Sequence, residues 1–206
     1  FGQVDIDMIA GPSEIGIIAD DSANPVHLAA DLLSQAEHDP RARAIMVTNS
    51  EKLAQLVSDE VERQLSQLPR ESIARPAIEN NSYIAVMDSV EDMFTVMNEV
   101  APEHLEIQLP DPMEYMSMVE NAGSVFLGKY ASEPLGDYVG GTNHVLPTSG
   151  TAKFSSPLGV YDFVKRISFT QFSRERLQEV AKDITTLART EGLEAHARAI
   201  EMRFED

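Results

Sequence analysis

From Ile15 to Gly128 short apolar runs alternate with segments whose apolar residues recur every three or four positions. Ile15-Gly16-Ile17-Ile18-Ala19 reads as a buried strand. Asn24-Pro25 then supplies an N-cap and a proline at the first helical position, predicting a helix through Leu28, Leu32 and Leu33 to about His38, before Pro40. Ala44–Thr48 is a second strand, and Ser50 caps a helix whose stripe is Leu53, Leu56, Val57, Val61 and Leu65. Leu68 to Asn81 is polar and contains proline, which predicts a loop with at most a helical turn. Tyr83–Met87 is a strand, Ser89-Val90-Glu91-Asp92 opens a helix through Val100, and Leu105–Leu109 and Ser124–Leu127 are strands flanking a helix near Met113–Glu120. Strands alternating with helices of this length predict βαβ units and a doubly wound parallel sheet.

The texture changes after Gly128. Residues 130–160 are rich in Gly, Pro, Ser and Thr and lack periodicity, a length that in a compact protein marks a functional or disordered loop. Asn143, His144 and the short apolar breaks favour an ordered functional loop. From Ser173 the pattern is helical again, with Leu177, Val180, Ala181, Ile184, Leu187 and Ala188 on one face. Glu191-Gly192 interrupts it, and Leu193, Ala197 and Ile200 begin a shorter helix. The organisation expected is an α/β region over 1–165 carrying most of the site, followed by a helical module over 166–206. At the other end the apolar stretch Val4-Asp5-Ile6-Asp7-Met8-Ile9 also reads as a strand, an abrupt opening that suits a trimmed start or a piece of something longer.

Composition removes several classes of function. The 206 residues hold 34 acidic and 16 basic side chains, for a formal net charge of -18. That charge argues against binding a nucleic-acid backbone or an anionic membrane surface. No run of about 18 apolar residues is present for a membrane span. With no cysteine there is no disulfide framework, thiolate metal site or thiol nucleophile, and a reducing compartment, the cytoplasm, is the expected location.

Candidate chemistry therefore rests on histidine, carboxylate and amide groups. His27 reads as ordinary surface. Gln35 and His38, three apart at a helix end, project from one face, as polar capping or as ligands. Glu103-His104 sits at a helix-to-strand junction, either as a surface pair or as two proton acceptors on one turn. Asp137 and His144 lie in a glycine-rich stretch that is not a dinucleotide-binding fingerprint; a hard oxygen ligand and a substrate-side group are both chemically sensible there. Glu191 and His196 taken alone read as solvated helix residues. His38, Asp137 and His196 together form a set a catalytic Zn²⁺ could use with positions left open for substrate. Ser13, in Gly11-Pro12-Ser13-Glu14, lacks the context of a nucleophile elbow and reads as a binding or turn residue.

In order, Ile6–Glu14, Ala29–Asp39, Ala101–Glu106, Asn121–Gly128, Gly136-Asp137-Tyr138, Gly141–Thr148 and Asp162–Arg166 resemble the histidinol dehydrogenases, and the likeness runs on to Glu191-Gly192-Leu193 and His196. The resemblance implies an incomplete Rossmann-like fold and an oxidoreductase of histidine biosynthesis, which takes L-histidinol to L-histidine in two hydride transfers to NAD⁺. It implies one Zn²⁺ per site on Gln35, His38, Asp137 and His196, and a catalytic acid/base pair in Glu103 and His104. Substrate contacts carry over to Ser13, Gln35, His38, His104, Asp137, Glu191 and His196, with His144 near the substrate in a less defined duty.

The family's chains are roughly twice this length, and the likeness covers their C-terminal half. The NAD⁺-binding residues are accordingly expected mainly in the other half. The family also forms intertwined homodimers, which implies that Glu191 and His196 serve the neighbouring subunit. Two other readings stand beside this one: a zinc- and histidinol-binding fragment without turnover, and a related dehydrogenase of another small alcohol. Glu191 alongside the full ligand set favours histidinol over the latter.

Overall fold

A computed structural model describes residues 3, 4 and 6–205. The chain divides into two compact units, Phe1–Phe163 and Val164–Asp206.

The first unit is built on five strands, β1 (Glu14–Ala19), β2 (Arg43–Thr48), β3 (Tyr83–Val86), β4 (His104–Gln108) and β5 (Ser124–Leu127). All pair in parallel, in the order β3-β2-β1-β4-β5. Helix α1 (Pro25–Ala36) joins β1 to β2, α2 (Glu51–Leu65) and α3 (Glu71–Asn81) join β2 to β3, and α4 (Val90–Val100) returns the chain to β4 on the far side of β1. One face of the sheet buries Ile15, Ile17, Ala44 and Met46 against Leu28, Leu32, Val57 and Leu65. The other buries Ile18, Ile45, Val47, Leu105 and Ile107 against Met93, Phe94 and Met97 of α4. Helices on both faces make the sheet doubly wound, as the alternating pattern predicts.

The caps explain the helix starts. Asn24 Oδ1 accepts from the Val26 N–H at 2.9 Å, Ser50 Oγ from Leu53 at 3.2 Å and Ser89 Oγ from Asp92 at 3.1 Å. Four segments depart from the sequence reading. The stretch expected to be a loop contains α3, with Pro76 inside it. Proline costs a helix interior about 3 kcal/mol, but here Ala74 and Ala77 are fully buried and Arg75 bridges Glu71 and Glu62 at 2.7 and 3.0 Å. The helix near Met113 is a 3-10 segment, Pro112–Met118, and α1 ends at Ala36, two residues short of His38. Around Val4–Ile9 the described residues form no strand, and Asp5 lies outside them.

The aperiodic stretch after Gly128 is ordered by a short helix, α5 (Pro134–Tyr138), and by contacts with the start of β1: Gly11 N–H donates to Thr148 Oγ1 at 2.7 Å, and Ser149 N–H to Glu14 Oε2 at 3.1 Å. The second unit comprises α6 (Arg174–Thr190) and α7 (Glu194–Glu201). Gly192, at φ 77°, turns the chain between them, Ala188 and Ala197 are buried, and Arg189 pairs with Glu194 and Glu201 at 2.9 Å.

Candidate active site

Strand β4 places its residues on alternate sides of the sheet. Its register with β1 pairs His104 with Ile15, Glu106 with Ile17 and Gln108 with Ala19. His104, Glu106 and Gln108 therefore line the face that α1 covers, a polar file within an apolar layer. On α1 the facing groups are Asp31 and Gln35, with His38 just beyond the helix end, a spacing of four and then three that holds them on one side. Over this file fold Glu133 and Asp137 of the α5 region and His144 of the following loop.

The backbone of Glu14 holds the Glu103–His104 pair. Its N–H donates to Glu103 Oε2 at 3.1 Å, and its carbonyl oxygen lies 2.8 Å from His104 Nδ1. A carbonyl only accepts, so His104 carries its proton on Nδ1 and, when neutral, presents a lone pair on Nε2. Burial lowers the His104 pKa to about 4, with the nearby His144 and His38 also opposing a charge there. The Glu103 pKa moves the other way: burial first, then the neighbouring Glu14 and Asp137 carboxylates, raise it to about 7. Side by side, the two groups are therefore a neutral base and a carboxyl group poised near neutrality.

Opposite His104 the acceptors converge. His104 Nε2 and His144 Nε2 are 2.9 Å apart, and His144 Nε2 is 2.9 Å from Asp137 Oδ1. Glu133 Oε1 lies 3.7 Å from His104 Nε2 and 3.6 Å from His144 Nε2. The His104 lone pair thus faces His144 Nε2, with the Asp137 and Glu133 carboxyl groups beside it. Burial and Asp137 raise the pKa of Glu133, with Gln35 opposing part of the rise. Glu106 and Asp31, within hydrogen-bonding reach of each other, are both raised by burial.

Ligand atoms of His104, Glu133 and His144 all lie within 4.8 Å of one another, a possible metal-binding group. The amide of Gln35 is 1% exposed, yet neither its oxygen nor its nitrogen completes a hydrogen bond, and His144 Nδ1 is likewise buried without a partner. Orphaned buried donors and acceptors beside converging lone pairs fit a cation held by nitrogen and oxygen ligands.

Of the residues expected from sequence, the structure gathers Gln35, Glu103, His104, Asp137 and His144 around this point, with Ser13 adjoining Glu14. His38 is exposed at the end of α1. Glu191 and His196 are exposed residues of the second unit. Sequence reasoning missed Glu133, Glu106 and Asp31. The signals were present but weak: polar residues two apart in β4, a polar residue four before Gln35, and Glu133-Pro134 at a helix start.

Comparisons with known proteins show the family. The family model for histidinol dehydrogenase matches residues 1–204. Histidinol dehydrogenase of Lactiplantibacillus plantarum is 67% identical over 205 residues, covering 100% of this chain and 48% of that protein. That of Streptococcus mutans is 64% identical over 203 residues, covering 98% of this chain and again 48% of the relative. The crystal structure of histidinol dehydrogenase from Elizabethkingia anophelis superposes with a TM-score of 0.86 at 43% identity, over 98% of this chain and 46% of that one. The chain spans about half the length of the curated relatives it matches. It belongs to the histidinol dehydrogenase family.

Proposed function

We propose that the chain carries the substrate- and metal-binding half of an NAD-linked oxidation of L-histidinol to L-histidine. The observation that supports this best is the Glu103–His104 pair, locked by the backbone of one residue and facing a cluster of acceptors. In the first oxidation, the His104 Nε2 lone pair takes the hydroxyl proton while the carbinol carbon gives up its hydride to NAD⁺, leaving the aldehyde. Glu103 then removes a proton from water as that water adds to the aldehyde. Once the pair has passed its two protons to solvent, the hydrate can give up a second hydride to another NAD⁺ and its remaining acidic proton to His104. Burial keeps water from competing around the reacting carbon.

Gln35, His38 and Asp137, with His196 from a second copy of the chain, are the groups we propose for Zn²⁺. The metal when bound would orient the substrate through its nitrogens and would not itself change oxidation state. Ser13 and Glu191 complete the proposed substrate contacts, and the reading puts the residues for NAD mainly in the part of the family's length beyond this chain. A homodimer in the cytoplasm is the assembly and location that go with this reading; no helix among the described residues is long and apolar enough to cross a membrane. The half-length coverage also favours a second reading, a chain that binds zinc and histidinol without turnover.

The test measures zinc content, histidinol binding and NADH formation, in the chain alone and extended to the length of its relatives. His38→Ala should strip the zinc, whereas Glu133→Gln should retain it. The reverse outcome would transfer the metal to the His104–Glu133–His144 group. His104→Asn in the extended enzyme should cost about 10²-fold or more in kcat, and an unchanged rate would remove His104 as the base. Histidinol binding with no NADH from either form would leave the second reading.

A further inference from the structure

We propose that Glu106 is a positioning residue, whose buried carboxyl group ties the Glu133 peptide to the strand that carries His104. Its kinetic consequence rests on the histidinol-oxidation reading; its geometry does not.

Glu106 occupies the middle of β4, is 0% exposed, and has Ile17 and Phe126 as its partners across the sheet. A carboxyl group in such a place is costly unless its oxygens are engaged. Both are: Oε1 accepts the Glu133 N–H at 2.9 Å, and Oε2 accepts from Gln108 Nε2 at 3.0 Å. The first of these bonds spans 27 residues. It joins the centre of the sheet to the residue preceding α5, a helix that begins without a side-chain cap.

His104 and Glu106, two apart on one strand face, stand about 7 Å from each other by strand geometry. A rigid strand therefore holds His104 directly and the Glu133 backbone through Glu106. From that anchored backbone the Glu133 carboxyl group reaches to 3.7 Å from His104 Nε2 and 3.6 Å from His144 Nε2. The neighbouring turn gives the Glu133 carbonyl to Gly136 N–H at 2.7 Å, so the local hydrogen bonds of α5 lie on the other side of the same residue. Without Glu106, the Glu133 N–H would be an orphaned buried donor, and the turn would have to move to satisfy it. A displacement of about 1 Å at a reacting centre can cost on the order of 10²-fold in rate. A polar residue of purely structural use would be replaceable by an apolar side chain of similar volume without a specific effect at the site.

The experiment compares Glu106→Gln, Glu106→Leu, Glu106→Asp and Glu133→Gln with the double variant Glu106→Leu/Glu133→Gln. Amide hydrogen exchange at Glu133 is read in the 206-residue chain, and kcat and KM for histidinol in the extended enzyme. Glu106→Gln keeps an acceptor oxygen, so it should protect the Glu133 amide and keep kcat within about threefold. Glu106→Leu should speed Glu133 exchange about tenfold or more and lower kcat by a similar factor. The double variant should be no slower than Glu133→Gln alone, because both changes act through one carboxyl group. Glu106→Asp, which keeps the carboxyl group but is one methylene short, should resemble Glu106→Leu and decides the matter if the leucine variant does not fold. A Glu133 amide still protected in both Glu106→Leu and Glu106→Asp, or fully additive losses in kcat, would overturn the proposal. Released exchange in a protein that never oxidises histidinol would instead overturn the proposed function and leave the tie standing.

Discussion

His104 and Glu103 are neighbours in the chain whose proton affinities are pushed in opposite directions by the same burial, because one is cationic and the other neutral when protonated. The consequences for stability are opposite as well. The unfolded His104 ring takes up a proton below about pH 6.5 while the folded ring waits until about 4, so its contribution is present above that window and lost as pH falls through it. Glu103 holds its proton in the folded state up to about 7, so its contribution is present at low pH and lost as pH rises from the usual carboxylate range through neutrality. In the zinc-free chain, NMR titration should show the His104 ring changing near pH 4, with the proton on Nδ1 above that, and the Glu103 carboxyl carbon changing near pH 7. A His104 midpoint above 6, or a neutral ring protonated on Nε2, would contradict the geometry. The Glu103–His104 pair could be singled out in the sequence because its members are adjacent. Glu133 could not, because its place depends on a hydrogen bond that its own N–H donates to Glu106, 27 positions away.

At the scale of elements, the site sits at the amino-terminal ends of β1 and β4 and beside the carboxyl-terminal end of α1. In open α/β sheets ligands generally bind outside the carboxyl ends of the strands, at the switch in strand order. Here β1 and β4 flank that switch, yet the polar file begins at the opposite end, with Glu14 and His104. The start of β4 is held tightly from the β5 side: Gly123 donates to the Pro102 carbonyl at 3.0 Å, and a Cβ added to Gly123 would fall 2.5 Å from the Glu103 carbonyl oxygen. That oxygen is backbone and cannot swing away. Gly123→Ala should therefore cost about 1–3 kcal/mol and shift the Glu103–His104 segment, seen as a lowered denaturation midpoint together with changed His104 ring resonances. A midpoint within error of the parent would show that the two strands slide apart easily. The strands and capped helices were legible because their periodicity and caps are local; α3 was not, because the burial of Ala74 and Ala77 and the Arg75 ion pairs outweigh the proline.

For the molecule as a whole, a net charge of -18 over 206 residues means carboxylates repel one another across much of the surface. Shortening the screening length from about 30 Å at 0.01 M salt to about 8 Å at 0.15 M should raise the melting temperature by a few degrees. Calorimetry at the two ionic strengths checks this, and a lower melting temperature in salt would show that attractive ion pairs such as those of Arg75 and Arg189 dominate instead. The proposed function is also a matter for the whole-molecule scale. The family's length is about twice that of this chain, and two of the groups proposed for substrate and metal, Glu191 and His196, are exposed on the second unit.

By itself the sequence determined the order and type of most elements, the parallel sheet and the family. Hydrophobic periodicity, caps and contiguous motifs are local properties of the chain, and they survive without three-dimensional information. Only the tertiary structure decided that Glu14's peptide fixes the His104 tautomer, that Glu133 and Asp137 meet His144, and that Glu106 is buried beneath them. Those contacts join residues up to 90 positions apart. Their existence depends on sheet register and on which face of β4 meets α1, and no spacing along the chain encodes either.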